Sequence, residues 1–170
     1  MAFVKVDKSE LVRAICAALA EKERLTTQQA DAAHRAATHE ESVPENDKDT
    51  RALESSYLAG AQAARARELK GIQNALAFVP LRDFKPDDEI GLTALVTVSG
   101  AVSGATSAAR GAKQTAYFLM PHGGGIKVRM GADEITVVTP EAMLGQALVG
   151  LCIGDTLTVG GRDYEVIDLA

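Results

Sequence analysis

Apolar residues recur at helical spacing from Ser9 to about Glu41, interrupted on the same face by Lys22 and Gln29, in a segment that contains neither glycine nor proline. This spacing places them on one face of an α-helix, which Asp7 or Ser9 can cap. At 1.5 Å per residue the predicted helix is about 50 Å long, a length typical of a coiled coil. The stripe consists of Leu11, Ile15, Ala18, Leu25, Ala32 and Ala36, with Leu19 and Ala33 beside it.

A second stretch with helical spacing follows a break at Pro44, since proline disfavours helix at its own position and before it. Two long helices joined by a short break most economically form an antiparallel hairpin. Residues 1–79 are therefore predicted to form a helical hairpin of the coiled-coil type. The second stripe runs from about Asp49 to about Leu76 and consists of Leu58, Ala61, Arg65, Leu69, Ile72 and Leu76, with Leu53 and Tyr57 nearby.

The periodicity changes after a proline-containing, acidic linker at residues 80–89. Residues 90–170 alternate in a way that predicts short strands, with a short helix at 141–149 that Thr139 would cap and Pro140 would begin. The fold class predicted for the whole chain is α+β, a helical hairpin followed by an α+β domain. The expected strands are 92–98, 115–120, 126–130, 135–138, 156–159 and 164–169, and residues 99–114 are expected to form a hairpin loop.

Composition places the chain among ordinary globular proteins, with 46% hydrophobic and 24% charged residues. The net charge of −5 argues against nucleic-acid binding over the whole surface. Cys16 and Cys152 show neither metal-ligand nor disulfide-framework spacing, which favours a reducing compartment. The sequence lacks a signal core and any apolar run near the ~20 residues that span a bilayer, so we expect a cytoplasmic protein that does not contact a membrane.

Charge is segregated along the predicted hairpin. Residues 40–49 carry five carboxylates against Lys48 and are net −4, whereas the rest of the first 80 residues is net +3. Clustered carboxylates can bind a hard cation such as Mg²⁺, although they would need further ligands to complete its octahedral shell. Acidic residues at a helix start also stabilise the helix through its dipole, so both interpretations of Asp47 and Asp49 stay open.

Other candidate chemistry is weaker. His34 and His39 are five residues apart, whereas two ligands on one helix face are three or four apart. His122 precedes Gly123–Gly125, which predicts a turn because no Gly-Lys-Ser/Thr follows. No nucleophile-elbow pattern occurs.

Two stretches resemble the Gre family of bacterial transcript cleavage factors. The first, Glu54-Ser55-Ser56-Tyr57 through Leu69-x-x-Ile72-x-x-x-Leu76, is similar to the second helix of that family's hairpin. The second, Ile135–Pro140 followed by Leu144–Gly150, continues through Gly154-Asp155 to Tyr164–Ile167 and is similar to the family's carboxy-terminal signature. Together with the order of the predicted elements, the resemblance covers nearly the whole chain.

The resemblance implies an FKBP-like carboxy-terminal domain that binds the rim of the RNA polymerase secondary channel, with Thr139 and Pro140 as partner-binding residues. It also implies that the hairpin enters the channel and that its tip assists cleavage of the 3′ end of backtracked nascent RNA. Glu45 and Asp47 would act in cleavage, and Glu41, Glu45, Asp47 and Asp49 would all be ligands of a transient Mg²⁺ shared with the polymerase. The protein would be an accessory factor without a stably bound cofactor of its own.

The tip departs from the family's Gly-Asp-Leu-Lys-Glu-Asn run, because only Glu45-Asn46 repeats its last two residues. Three alternatives therefore stay beside the cleavage factor. One is a secondary-channel regulator that does not cleave. Another is a structural coiled-coil protein that associates through its hairpin. The third, suggested only by the FKBP-like fold, is a prolyl isomerase. Its aromatic pocket would have to be formed by Phe84, Tyr117, Phe118 and Tyr164.

Overall fold

The computed structural model describes residues 6–38, 51–100 and 114–170. It divides into two compact units, which we call the body (residues 1–15 with 75–170) and the shaft (residues 16–74). Two helices precede a six-stranded sheet, which confirms the predicted α+β class. The elements are α1 (Lys8–Thr38), α2 (Arg51–Ala77), β1 (Leu95–Gly100), β2 (Gln114–Leu119), β3 (Lys127–Met130), β4 (Asp133–Val138), α3 (Met143–Leu148), β5 (Thr156–Val159) and β6 (Arg162–Leu169).

The sheet of the body is mixed, with the strand order β3-β4-β2-β1-β6-β5. β1 and β2 pair antiparallel with Leu95 opposite Phe118 and Ser99 opposite Gln114, which confirms the hairpin predicted from the pattern. The connection at 101–113 lies outside the described residues. β2 and β4 pair in parallel, and β3 lies between them in the chain as the outer partner of β4.

The body is held together by large apolar side chains. Phe118, Ile135 and Val137 in the sheet have no exposed surface, and Leu11 and Ile15 from the start of α1 are equally buried. α3 contributes Leu148 to a cluster with sheet residues. The burial of this many large side chains is the main favourable term in the folding of the body. The cluster comprises Ile90, Ala94, Val96, Val98, Leu119, Val138, Leu148, Leu157, Val166 and Leu169.

The first residues of α1 and of β1 are each determined by hydrogen bonds and backbone angles of neighbouring residues. The Asp7 carboxylate accepts a hydrogen bond from the Ser9 N–H at 2.9 Å, which confirms Asp7 as the amino-terminal cap of α1. β1 begins at Leu95 rather than at Leu92 because residues 91–94 form a turn, in which the Ala94 N–H bonds to the Gly91 carbonyl. Thr93 within it has a φ of 68°, which is incompatible with a strand.

Among the described residues, no helix combines the length and the apolar character that crossing a bilayer requires.

Candidate functional site

The four predicted metal-facing residues, Glu41, Glu45, Asp47 and Asp49, all belong to the connection at 39–50, which lies outside the described residues. Their predicted roles therefore stay predictions. In the described part of the chain, no group of three or more histidine, cysteine or acidic residues is arranged to hold a metal ion. What the structure does describe is the pair of helices that leads to this connection and returns from it.

The two shaft helices are antiparallel. The Cys16 Sγ lies 4.0 Å from the Gln73 carbonyl oxygen, so the beginning of α1 in the shaft is beside the end of α2. From there α1 continues to Thr38, over about 33 Å. If the helices were parallel, Thr38 and Arg51 would be about 66 Å apart, whereas the connection between them reaches at most about 45 Å. The predicted hairpin is confirmed, and the acidic connection joins its two helices at one end.

The contact between the shaft helices consists mainly of small and polar side chains. Leu19 and Leu69 are its only leucines with less than a tenth of their surface exposed in the described part of the shaft. Buried or half-buried positions of α2 recur at heptad spacing, as expected of a coiled coil. They are Ser55, Ala59, Gln62, Ala66, Leu69 and Gln73, opposite Leu19, Thr26 and Ala30 of α1.

The apolar stripes predicted to form this contact were partly wrong. Leu25 and Leu58 are 46% and 53% exposed, and Ala61 is also exposed. On each helix the observed contact face is shifted by about one residue from the predicted stripe. On α1 this shift buries Thr26 in place of Leu25, and Thr26 can be buried at low cost. Its hydroxyl donates to the Lys22 carbonyl of its own helix at 2.8 Å, so no polar group is left unsatisfied.

Two further apolar side chains near the acidic connection are exposed. Leu53 and Tyr57 are 55% and 72% exposed, and their spacing of four residues places them on one face of α2. At 100° per residue this face points away from the contact with α1. The part of the shaft nearest the connection thus presents apolar side chains outward instead of burying them.

Thr139 and Pro140, the predicted partner-binding residues, lie in a tight turn between β4 and α3. The Ala142 N–H donates to the Thr139 carbonyl at 3.0 Å, which closes a β-turn with Pro140 at its second position. The prediction that Thr139 caps the helix and Pro140 begins it is wrong. Helix α3 begins at Met143, its cap position is Ala142, and no side chain bonds there.

Two glycines allow the chain to approach this turn closely. A Cβ at Gly145 would lie 1.9 Å from the Thr139 carbonyl oxygen, so only glycine fits against the turn. A Cβ at Gly124 would lie 3.1 Å from the Thr139 Cγ2, which places the predicted Gly123–Gly125 turn beside the same residue. The turn at 139–142 is therefore held from two sides.

The surface beside the turn is apolar and exposed. Met143 is 71% exposed at the first position of α3, and Val149 at its end is 48% exposed. Thr139 and Pro140 are half-buried, and Glu141 is exposed. No partner is present beside this turn, so the partner-binding role of Thr139 and Pro140 stays a prediction.

Two residues of the shaft, Cys16 and Glu21, have shifted pKa values, and both shifts have ordinary structural causes. Burial raises the pKa of the Cys16 thiol, which makes it a poor nucleophile. The hydrogen bond from Arg24 lowers the pKa of Glu21, and this exposed pair with a 2.7 Å contact contributes little to stability. Neither group suggests catalysis.

Sequence reasoning missed one cluster in the body. The Lys8 ammonium donates to the Arg82 carbonyl oxygen at 2.5 Å and lies 4.7 Å from the centre of the Phe84 ring. These partners are more than seventy positions apart in the chain, so neither spacing nor periodicity could reveal them. Of the aromatic residues considered for a prolyl isomerase pocket, Phe118 has no exposed surface.

No protein-family model matches the chain, and no curated protein matches it significantly. Similar solved structures include GreA factor homolog 1 (Gfh1) of Thermus thermophilus, at 15% identity over 89% of this chain and 92% of that chain, with a TM-score of 0.37. Thermus aquaticus Gfh1 is 19% identical over 98% and 97% of the two chains, with a TM-score of 0.34. A third structure, of the transcription factor Gfh1, is 16% identical over 92% and 93%, with a TM-score of 0.35.

The names of these structures agree with the Gre family that the sequence resembles. With TM-scores below 0.5, however, superposed positions do not correspond closely enough for residue roles to be compared.

Proposed function

We propose that this protein is a Gre-like transcription elongation factor that binds RNA polymerase, inserts its acidic hairpin tip into the secondary channel and stimulates cleavage of backtracked RNA. The observation that supports this most strongly is the position of the acidic connection. Residues 40–49, which are net −4, join the two helices of an antiparallel shaft at one end. A two-helix rod with concentrated carboxylates at one end is suited to a narrow channel that leads to a metal-dependent active site.

The donor chemistry of the tip fits the hard cation that such an active site uses. Glu41, Glu45, Asp47 and Asp49 offer only carboxylate oxygens, the ligand type that Mg²⁺ prefers. A second Mg²⁺ bound with their help would stabilise the attacking and leaving oxygens of phosphodiester hydrolysis. Glu45 and Asp47 would be the principal ligands of that ion, and Glu41 and Asp49 would support them as further ligands. The protein would thus be an accessory factor and not an enzyme by itself.

The turn at Thr139 and Pro140 would provide the docking contact of the body. Its backbone is fixed by the Ala142-to-Thr139 hydrogen bond and by the close approach of Gly145. Met143 next to it is 71% exposed, so a partner surface can bury it at little cost in reorganisation. A rigid docking contact would set the position of the protein on the polymerase, and the shaft would carry the tip.

Transcript cleavage in backtracked complexes tests the proposal. Purified polymerase is stalled on a defined template, and the loss of the RNA 3′ end is followed at fixed Mg²⁺ with and without this protein. We expect a clear acceleration by the wild type and its loss in Glu45→Ala/Asp47→Ala, because the variant lacks the two carboxylates assigned to the ion. Binding of this variant to the polymerase should stay within about twofold of the wild type, since surface charges away from a docking contact matter little.

A matched control separates a specific role of the tip from a general effect of charge. Asp87→Ala/Glu89→Ala removes the same number of carboxylates from an exposed segment of the body and should stimulate cleavage as the wild type does. Equal loss of cleavage in both double variants would show that the effect is not specific to the tip. Full cleavage by Glu45→Ala/Asp47→Ala would contradict the assigned metal-facing pair.

The second candidate is a secondary-channel regulator that does not cleave. It is favoured by the altered tip, in which only Glu45-Asn46 repeats the family's run. This candidate predicts polymerase binding without acceleration, together with changed lifetimes of promoter complexes that contain no backtracked RNA. A third outcome, no polymerase binding with self-association of the protein in solution, would favour the structural coiled-coil alternative.

A further inference from the structure

The face of α2 that points away from α1 carries large apolar side chains close to the acidic connection. Tyr57 is 72% exposed and Leu53 is 55% exposed. At 100° per residue, Gly60 and Ala64 share an arc of about 60° with these two residues, and both are exposed as well. We call Leu53, Tyr57, Gly60 and Ala64 the outer strip of the shaft.

The outer strip lies in a part of α2 that is almost free of charge. From Leu53 to Ala64 the one charged residue is Glu54, which points at least about 60° away from the strip. Charges begin again directly afterwards, since four of the six residues at 65–70 are charged. A surface without charge over about 17 Å complements an uncharged, apolar protein surface better than it complements a phosphate backbone.

Gly60 is not required by the fold of the shaft. A Cβ at this position would meet nothing within 4 Å, and alanine is more favourable than glycine in the interior of a helix. Side chains on a helix lean towards its amino-terminal end, so Tyr57 does not cover Gly60. The result is a bare stretch of backbone beside an exposed aromatic ring, which a partner can approach closely.

The area of the outer strip indicates which kind of partner can cover it. A buried aromatic side chain accounts for roughly 150–250 Å², so the exposed part of Tyr57 offers at most about 180 Å². Half of Leu53 and the small surfaces of Gly60 and Ala64 add little, whereas a stable interface needs about 800 Å² from each partner. The strip is too small to hold a second copy of the chain by itself. It suits a partner that is also bound through other parts of the molecule.

We propose that an uncharged, apolar stretch of the polymerase channel wall packs against the outer strip when the hairpin enters, and that this contact strengthens the complex. The inference rests on the proposed function. Leu53 and Tyr57 are the anchoring side chains, while Gly60 and Ala64 allow the close approach. Tyrosine is enriched among the residues that dominate binding at protein interfaces. The strip is thus a second contact with the polymerase, in addition to the one assigned to the body.

Binding of the full chain to backtracked complexes tests the proposal. The Kd of each variant is measured by biolayer interferometry on the immobilised complex at one salt concentration. We expect Leu53→Ser/Tyr57→Ser to raise the Kd at least about tenfold, because both anchoring side chains are lost. Leu25→Ser is the control. This leucine is 46% exposed on α1, outside the strip, and its replacement should leave the Kd within about twofold of the wild-type value.

A pair of glycine variants separates close approach from apolar character alone. Gly60→Leu adds apolar surface and favours the helix, but its side chain fills the space that the partner needs. We therefore expect the Kd to rise at least about fivefold. Gly71 lies on the same face three turns further along α2, and a Cβ there also meets nothing within 4 Å. Gly71→Leu should bind within about twofold of the wild type, and tighter binding by Gly60→Leu would contradict the close approach.

The outcomes distinguish failure of the outer strip from failure of the proposed function. If the wild type binds the polymerase and Leu53→Ser/Tyr57→Ser binds equally well, the strip inference is overturned while polymerase binding stands. If the wild type does not bind at all, both are overturned. Sedimentation of the free protein tests for a second copy at the strip. Self-association that is abolished in Leu53→Ser/Tyr57→Ser would assign the strip to a dimer and overturn the proposal.

Discussion

The body and the shaft bury different kinds of side chain. The body surrounds its sheet with large apolar residues such as Phe118, Ile135 and Val137, all without exposed surface. The shaft joins its helices largely through alanines and polar residues such as Thr26, while Leu25 and Leu58 remain exposed. Since burial of large apolar side chains dominates folding stability, a residue of the body should on average contribute more to stability than a residue of the shaft.

This difference suits the proposed division of labour. A docking body has to keep its turn at Thr139 and Pro140 in one conformation, which a densely packed core ensures. A thin shaft has to reach into a narrow space, and alanine-rich contacts keep two helices close together. Exposed apolar residues near the connection, such as Tyr57, are then available for contacts with a partner.

Truncating the core of the body should have the largest effect. We expect Phe118→Ala to lower the free energy of unfolding by about 3–5 kcal/mol, because a fully buried aromatic ring is replaced by a cavity. Urea unfolding followed by far-UV circular dichroism measures this. A loss below about 1 kcal/mol would mean that the core is not the main source of stability in the body.

A pair of leucines in the shaft sharpens the comparison. Leu69 is 2% exposed and Leu58 is 53% exposed, although both lie on the stripe that the sequence predicts. We expect Leu69→Ala to cost about 2–3 kcal/mol and Leu58→Ala less than about 0.5 kcal/mol. Unfolding of both variants under identical conditions provides the measurement, and equal losses would contradict the rotated contact between the helices.

The conformation of the turn at 139–142 should be sensitive to a single added methyl group at Gly145. Gly145→Ala would place a Cβ 1.9 Å from the Thr139 carbonyl oxygen, so the turn or α3 has to move. We expect a loss of about 1–3 kcal/mol, in the range of overpacked cores, together with weaker polymerase binding. Gly71→Ala, where a Cβ meets nothing within 4 Å, is the control and should bind normally.

A smaller effect is expected from pH. The pKa of Lys8 is lowered to about 8 in the folded protein from 10.5 in the unfolded chain, so the unfolded state binds more protons between these values. Stability should therefore rise with pH from about 8 to about 10.5. The penalty for burying the charged amine is fully present below pH 8, and partial access of solvent to the amine reduces its size. Lys8→Met should lack this rise, and a wild-type-like rise in that variant would assign it to other groups.

The sequence was sufficient for the features that depend on local pattern. Both helices, all six strands and the Asp7 cap were predictable because periodicity, prolines and capping residues act over a few positions. The face on which the helices meet was not, because hydrophobicity alone ranks Leu58 above Ala59 as a packing residue. The shaft instead buries the smaller side chain, which allows the closer approach.

Long-range arrangements were also beyond sequence reasoning. The cluster of Lys8, Arg82 and Phe84 depends on the fold bringing the start of α1 to the linker. The turn at Thr139 was mistaken for a helix cap because Thr-Pro favours both arrangements. The structure has the β-turn, which the Ala142 N–H closes by donating to the Thr139 carbonyl, and α3 begins only at Met143.

Photo-crosslinking tests most directly whether the tip reaches the active site of the polymerase, as we propose. A photoreactive amino acid replaces Asn46 at the tip, and a second protein carries it at Arg162, an exposed position of the body. In backtracked complexes, we expect crosslinks from position 46 to the RNA 3′ end or to the residues around the catalytic Mg²⁺, and none of these from position 162. Crosslinks from position 46 only to the outer surface of the polymerase would contradict it.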